Sequence, residues 1–241
     1  MSKNMKVLRK MKNDELRVLI QILLDKGRIT EDLSSSLLFR TCHESGNYAP
    51  CIDLIDEEIR RFGGNTIVNF FRGGGPEYKE IACDVCEKLD VEVDQSKRMR
   101  EIDTAILKKV LTRMWEEMED KDRRELLASL NIKITTDSNF KAEGLAALLT
   151  AFRAGGFASY QLTMIVVNAV AKMILGRGLA LATNATINKV LGIATGPIGI
   201  ALTTMWVVAD ITGPAYRVTI PVVIYLAAMR QAYRNAPAPS K

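Results

Sequence analysis

Residues 190–209 form a run of twenty without a charged side chain, VLGIATGPIGIALTTMWVVA. A run of this kind lies either in lipid or in the centre of a protein core. Twenty helical residues extend about 30 Å, close to the thickness of the hydrocarbon part of a bilayer. Length therefore leaves both locations open, and the residues inside the run must decide between them.

Gly196, Pro197 and Gly199 stand in the middle of this run. Proline inside a helix removes a hydrogen bond and costs about 3 kcal/mol, whereas it suits the first turn of a new helix. We therefore predict two helices, 179–191 and 197–211, joined at a tight corner. Each is too short to cross a bilayer upright, which favours a buried hairpin in a soluble bundle over a membrane-inserting hairpin.

The same region carries a seam of small residues, with Gly192, Gly196, Pro197 and Gly199 as candidate packing residues. Such seams let helix backbones approach closely, either in membranes or in soluble cores. We expect Gly196→Leu to disturb folding more than Gly46→Leu, because Gly46 stands in a polar stretch that reads as a loop (42–50).

The charge balance divides the chain. Residues 1–141 have a net charge of −1 and residues 142–241 of +6. We predict a mixed-charge helical region at 1–139, an apolar glycine-rich helical region at 140–234, and a disordered tail at 235–241. Sparse basic residues beside apolar helices suit an anionic membrane surface or an acidic partner. They lack the density of Lys and Arg expected of a nucleic-acid-binding surface.

Helical periodicity dominates the rest of the chain and predicts an all-α, multi-helix bundle. The clearest elements begin at Asn13 and end at Gly27, and extend from Arg98 to Met118. Charged residues interrupt the apolar part of the N-terminus, and no small-residue cleavage site follows, so we expect a cytoplasmic protein with reduced cysteines.

Candidate sites are few. Arg72, Gly73, Gly74 and Gly75 precede a predicted helix, and exposed backbone N–H groups with an arginine can hold a phosphate. Tight helix–loop–helix packing, where only glycine fits, is the favoured explanation of these glycines. Asp210 and Arg217 are the only charges between Val190 and Met229. We predict that they form a buried or half-buried ion pair across the break at residues 212–214, with an exposed pair as the alternative.

Metal and catalytic sites are not predicted. Cys83 and Cys86 stand within a helical pattern with no turn between them, and Cys42 and Cys51 lack a zinc-knuckle spacing. The single histidine, His43, has no nucleophile motif around it. We expect no cofactor, no bound zinc and no enzymatic activity.

Three segments together carry a resemblance to a known family. They are Phe62–Ile67 continuing to Arg72-Gly73-x-Gly75-x-x-Tyr78-x-x-Ile81 and Asp84-Val85; Trp115-x-x-Met118; and Ala215–Pro221, preceded by Gly196-Pro197-x-Gly199. The sequence resembles the bacterial YaaW-like family, which is grouped with the ubiquinol–cytochrome c reductase assembly chaperones. The resemblance implies an all-helical bacterial cytosolic protein without established catalysis, and it supplies no catalytic residues.

These observations favour a non-enzymatic, chaperone-like interaction or assembly protein with a protein partner, able to contact the membrane surface or a membrane-bound partner. A pore-forming or membrane-disrupting effector that releases the hairpin at 178–211 is the alternative. An anion-binding module at Gly73–Gly75 is a third. The oligomeric state and the partner's identity do not follow from the sequence.

Overall fold

A computed structural model describes the backbone of residues 5–27, 33, 35–63, 75–134, 139–179, 185–212 and 214–237. At 25–27, 185–187, 208–212 and 214–215 it describes the backbone only. The predicted tail begins within the described part at 235–237, and its last four residues, 238–241, lie outside it.

The described residues contain α-helices, short 3-10 turns and connecting segments, without a strand. The all-α class is therefore confirmed, as is the presence of two apolar helices near the C-terminus. The helices are α1 (Asn13–Gly27), α2 (Leu37–Ser45), α3 (Ile52–Phe62), α4 (Tyr78–Lys88), α5 (Met99–Glu117), α6 (Asp120–Ser129), α7 (Phe140–Ala154), α8 (Gly156–Leu175), α9 (Ala185–Thr212) and α10 (Pro214–Asn235).

Helix α2 corrects the expected loop at 42–50. Ser36 caps its first turn, since the Ser36 hydroxyl accepts a hydrogen bond from the Phe39 N–H at 3.3 Å. Phe39 and Cys42 are buried three residues apart, while most of the polar residues around them face solvent. The helix ends at Gly46, whose φ of +67° is left-handed.

Helix α9 corrects the predicted corner at Gly196–Pro197. One helix continues through both residues, and Pro197 lies inside it. The proline leaves the carbonyl of Ile193 without its helical donor, but both residues are only half-buried, so that carbonyl need not lie in a dry core. Because the helix is continuous, its buried side chains keep a helical spacing and form one inward-facing stripe, which a corner would disrupt. The stripe consists of Val190, Ala194, Ile198, Ala201 and Leu202.

The chain divides into two compact units, Met1–Ile102 with Met205–Leu226, and Asp103–Thr204 with Ala227–Lys241. Helices α9 and α10 each contribute to both units. In the first unit, the Tyr225 hydroxyl donates a hydrogen bond to the Glu15 carbonyl at 3.0 Å, joining α10 to α1. The charge-based boundary at residue 139 lies inside the second unit.

The second unit is built around α5 and Trp115. The Trp115 indole N–H donates to the Lys141 carbonyl at 2.9 Å, and the Arg123 Nε donates to the Trp115 carbonyl at 2.9 Å. Gly144 on α7 lies beneath the ring, where a Cβ would approach Trp115 Cζ2 to 2.5 Å. These contacts join α5, α6 and α7, and α7 leads directly into α8 at Gly155.

Candidate functional site

Helices α8 and α9 each contain a stretch of twenty residues that is, by length and composition alone, long and apolar enough to cross a membrane. The two stretches differ in burial. The apolar stretch of α8 is Gly156–Leu175, and 61% of it is buried within the protein. The apolar stretch of α9 is Asn188–Val207, and only 33% of it is buried. Apolar side chains of a soluble core helix are normally covered. The uncovered side of α9 is therefore the main candidate for an interaction surface.

That uncovered side has a regular composition. Gly192, Gly196, Ile200, Thr203 and Thr204 are exposed, at spacings of three and four that place them on one face. We call these five residues the outer face of α9. Ile200 is 52% exposed, and no charged residue interrupts the face. The opposite face carries the buried stripe described above, so α9 is anchored on one side and uncovered on the other.

Three threonines of α9, all with described side chains, direct their hydroxyls to the backbone of the same helix. Thr203 donates to the Gly199 carbonyl at 2.8 Å and Thr204 to the Ile200 carbonyl at 3.1 Å. Thr195 makes the equivalent bond to the Leu191 carbonyl. Because these donors are satisfied within the helix, the outer face does not need water for hydrogen bonding, as for threonines in membrane helices.

The glycines of the predicted seam face open space within this chain. Apart from neighbouring backbone of α9 itself, a Cβ added at Gly192, Gly196 or Gly199 would meet no atom of the described residues within 4 Å. Their role in packing, together with that of Pro197, stays a prediction and now concerns a neighbour outside the chain. For folding alone, the structure predicts the reverse of the expected order, because Gly46 has a positive φ and Gly196 has room for a side chain.

Most of the proposed anion-binding segment lies outside the described residues, namely Arg72, Gly73 and Gly74. Gly75 is described, and a Cβ there would lie 2.1 Å from the Arg60 carbonyl oxygen at the end of α3. Close packing against backbone thus explains a glycine at position 75. Anion binding by this segment stays a prediction.

The predicted Asp210–Arg217 pair also stays a prediction. Arg217 is exposed on α10, and the Asp210 side chain lies outside the described ones. The structure contains a buried ion pair elsewhere. Arg230 on α10 donates to Asp103 on α5 from Nε at 2.9 Å and from Nη2 at 2.7 Å, and the Asp103 side chain is fully buried.

Sequence reasoning missed this pair, although a signal was present. Asp103 stands four residues before Leu107 and seven before Val110, on the apolar face of α5. A second arginine, Arg234, reaches Asp103 Oδ2 at 3.5 Å. Arg234 Nη2 also donates to Gln231 Oε1, and Gln231 and Asn235 both donate to the Ser159 hydroxyl, at 3.2 and 3.0 Å, which extends the network. The network fastens α10 to α5 and α8 inside the second unit.

The four cysteines are free thiols. Cys83 and Cys86 lie on α4 as predicted, while Cys42 and Cys51 are buried in the first unit. The His43 Nδ1 lies 3.2 Å from the Tyr48 hydroxyl. Within the described part of the chain, no group of three or more His, Cys, Asp or Glu side chains has a metal-binding arrangement. The absence of zinc remains a prediction for elemental analysis.

A model of the family described as "Ubiquinol-cytochrome C chaperone" matches residues 51–224 of this chain. The chain belongs to this family. A UPF0174 protein of Helicobacter pylori is 41% identical over 232 residues, covering 95% of this chain and 90% of the relative. The UPF0174 protein YaaW of Escherichia coli is 32% identical over 178 residues, covering 74% of this chain and 70% of the relative. No solved structure matches.

The matched segment confirms the resemblance found in the sequence, and the structure explains several of its residues. In this member of the ubiquinol-cytochrome C chaperone family, a Cβ on Gly63 would lie 2.3 Å from the Ile81 side chain, so only glycine fits without rearrangement. Trp115 and Met118 are both buried in the second unit. These motif residues therefore maintain the fold, and the outer face of α9 is left as the interaction candidate.

Proposed function

We propose that this protein is a non-enzymatic, chaperone-like assembly protein of the bacterial cytoplasm that uses the outer face of α9 to contact the membrane surface or a membrane-bound partner. The family description supports a protein-directed role. The observation that carries the proposal is an uncovered apolar helix face whose threonine hydroxyls are satisfied internally.

The chemistry of this face suits a helix or acyl chains better than water. Ile200 loses unfavourable hydration when covered, by about 25 cal/mol for each Å² of apolar surface. Gly192 and Gly196 allow another backbone to approach closely. Exposed cations, Lys172 and Arg177, lie at the end of α8 and just beyond it. Cations of this kind favour anionic head groups.

Vesicle flotation tests the proposal. Purified protein is floated with neutral vesicles, with vesicles containing an anionic lipid, and with bacterial membranes before and after protease treatment. Variant Ile200→Glu places a charge on the outer face, and Leu37→Glu is its matched control, because Leu37 is 75% exposed on α2 of the first unit.

We expect the wild type and Leu37→Glu to float and Ile200→Glu to bind about tenfold more weakly, since about 1.4 kcal/mol of lost burial corresponds to a factor of ten. Flotation with protein-free vesicles identifies lipid as the contact, and flotation only with untreated membranes identifies a protein partner. Wild type that never floats, or an Ile200→Glu variant that floats equally, contradicts the proposal.

The effector alternative is separated by dye release. Entry of α9 into lipid would require its buried stripe, including Ile198 and Leu202, to leave the core. Peripheral binding through the outer face leaves that stripe in place. Binding without release of an encapsulated dye is therefore the expected result, and release at low protein-to-lipid ratio would favour the pore-forming effector.

A further inference from the structure

A cavity of about 160 Å³ lies between α8 and α9 in the second unit. It is lined by four residues of α8, three of α9 and one from the segment between them: Ile165, Asn168, Ala169, Lys172, Leu191, Thr195, Ile198 and Gly178. This cavity is distinct from the outer face of α9, because Ile198 belongs to the buried stripe.

The walls of the cavity are mainly apolar. Ile165, Ala169 and Ile198 are 1%, 7% and 0% exposed. The hydroxyl of Thr195 is already bonded to the Leu191 carbonyl and needs no further acceptor. In another protein, an engineered cavity of about 150 Å³ lined by aliphatic and aromatic side chains stays dry and binds benzene. A cavity of this size and composition therefore accommodates a short length of hydrocarbon.

Besides Thr195, two polar side chains line the same cavity, Asn168 and Lys172. Lys172 is exposed, and the described part of the chain provides no carboxylate within ion-pair distance of its ammonium. By contrast, Lys189 on the neighbouring helix pairs with Glu125 at 3.4 Å. The Asn168 amide donates from Nδ2 to the Met164 carbonyl at 3.2 Å, and its Oδ1 atom packs near Gly178.

Helical spacing shows how the lining residues of α8 are arranged along the cavity. Ile165, Asn168 and Lys172 recur at three and four residues, so they share one face of α8. Seven residues of helix separate Ile165 from Lys172, about 10 Å. The buried apolar wall thus lies at one end of the face, and the solvated Lys172 ammonium, which pairs with no carboxylate among the described residues, lies at the other.

We propose that this cavity binds one molecule of a single-chain anionic amphiphile, such as a fatty acid, with its hydrocarbon chain between α8 and α9 and its carboxylate beside the Lys172 ammonium. An apolar ligand without a head group would make no charged contact with the Lys172 ammonium, and a cationic amphiphile would be repelled by that ammonium. This binding goes beyond the proposed membrane contact, because the ligand is a dissolved monomer and no bilayer takes part.

Calorimetric titration with decanoate below its micellar concentration, at low salt and without vesicles, tests the site. Decyltrimethylammonium and decanol serve as cationic and neutral probes with the same chain. Lys172→Gln and Lys172→Glu alter the head-group contact, and Ala169→Phe fills the cavity. Lys189→Gln is the matched control, since it removes a nearby lysine that does not line the cavity. Thermal unfolding of each variant shows that it is folded.

We expect decanoate to bind with a stoichiometry of one, and to bind at least tenfold more tightly than decyltrimethylammonium. Lys172→Gln should weaken binding about fivefold, because an exposed ion pair contributes modestly. Lys172→Glu should weaken it further, and Lys189→Gln should leave it unchanged. No binding of decanoate, equal binding of the three probes, or equal effects of the Lys172 and Lys189 variants would overturn the proposal. If Ala169→Phe does not fold, the two Lys172 variants decide the outcome.

Discussion

Arg230 donates two parallel hydrogen bonds to Asp103, from Nε to Oδ2 at 2.9 Å and from Nη2 to Oδ1 at 2.7 Å, although the two residues are 127 positions apart in the sequence. The carboxylate is fully buried and the guanidinium nearly so, with side-chain exposures of 0% and 11%. Such a bidentate pair is among the stronger charge-assisted contacts in proteins. Without Arg230, the buried Asp103 carboxylate would keep only the longer contact to Arg234 at 3.5 Å, and without Asp103 the guanidinium of Arg230 would lose its buried counter-charge.

Removal of either partner should therefore destabilise the protein strongly. For Arg230→Met and Asp103→Asn we expect losses of about 3–5 kcal/mol in the free energy of unfolding. The matched control is Arg98→Met, whose partner Glu101 lies 3.1 Å away with exposures of 86% and 43%. That exposed pair should contribute about 0–1 kcal/mol. Urea unfolding with a double-mutant cycle measures the coupling, and a coupling near zero for Asp103–Arg230 would contradict the assignment.

Two glycines within helices should respond oppositely to alanine. At Gly144 a Cβ would lie 2.5 Å from the buried ring of Trp115, so Gly144→Ala should destabilise by about 1–3 kcal/mol. At Gly192 a Cβ would contact no described residue outside the neighbouring helix backbone, so Gly192→Ala should stabilise by about 0.5–1 kcal/mol through helix propensity. Chemical denaturation of the two variants measures both values. Shifts of the same sign would contradict the close packing of Gly144 against Trp115.

Gly46 and Gly196 offer a second comparison, with leucine in place of glycine. Gly46 ends α2 with a φ of +67°, a conformation that costs other residues about 1–2 kcal/mol. Gly196 lies in a helix with open space beside it. Gly46→Leu should therefore lower the thermal midpoint, and Gly196→Leu should leave it unchanged or raise it slightly. A larger loss for Gly196→Leu would restore the seam as an internal packing contact.

Cys51 should make stability depend on alkaline pH. Burial, followed by a hydrogen bond with Cys42, raises the pKa of the Cys51 thiol from its ordinary value of 9.0 to about 12. The unfolded chain ionises first, so this contribution to stability is fully present below pH 9 and is lost as the pH rises towards 12. The Cys51→Ala substitution removes the thiol and therefore the difference in its pKa between the folded and unfolded chain.

Cys51→Ala should thus show a shallower fall in unfolding free energy between about pH 9 and pH 11 than the wild type. Cys83→Ala is the comparison, because burial also raises the pKa of the Cys83 thiol but Cys83 is only half-buried, whereas Cys51 is fully buried. Equal slopes for the wild type and Cys51→Ala would exclude a large shift at Cys51.

The sequence predicted those helices whose hydrophobic pattern and end signals agree. Asn13 and Gly27 bound α1 as expected, and the predicted helix at 98–118 is observed as Met99–Glu117. The last part of α2, from Cys42 to Ser45, was predicted as a loop because the buried face of this helix consists of only Phe39 and Cys42, less than two turns of pattern. The corner at Gly196–Pro197 was wrong because local propensity was given more weight than a continuous buried stripe.

The candidate site was predicted only in part, for a related reason. Where nearly every residue from Val190 to Ala209 is apolar, periodicity carries no information about which side is covered. The buried ion pair was missed because its partners are distant in sequence, and only the fold brings Arg230 to Asp103. Asp210 and Arg217, by contrast, suggested a pair because they are close along the chain.

Helix α9 has one buried face and one exposed face, and this has a consequence for mutational surveys of the protein. A survey that scores folded protein should find Ala194, Ile198 and Leu202 intolerant and Gly192, Gly196 and Ile200 permissive, because only the first three are covered by the chain itself. A survey that scores growth or partner capture should add the second three to the intolerant set. The residues that separate the two surveys would then outline the biological contact directly, whichever molecule it touches.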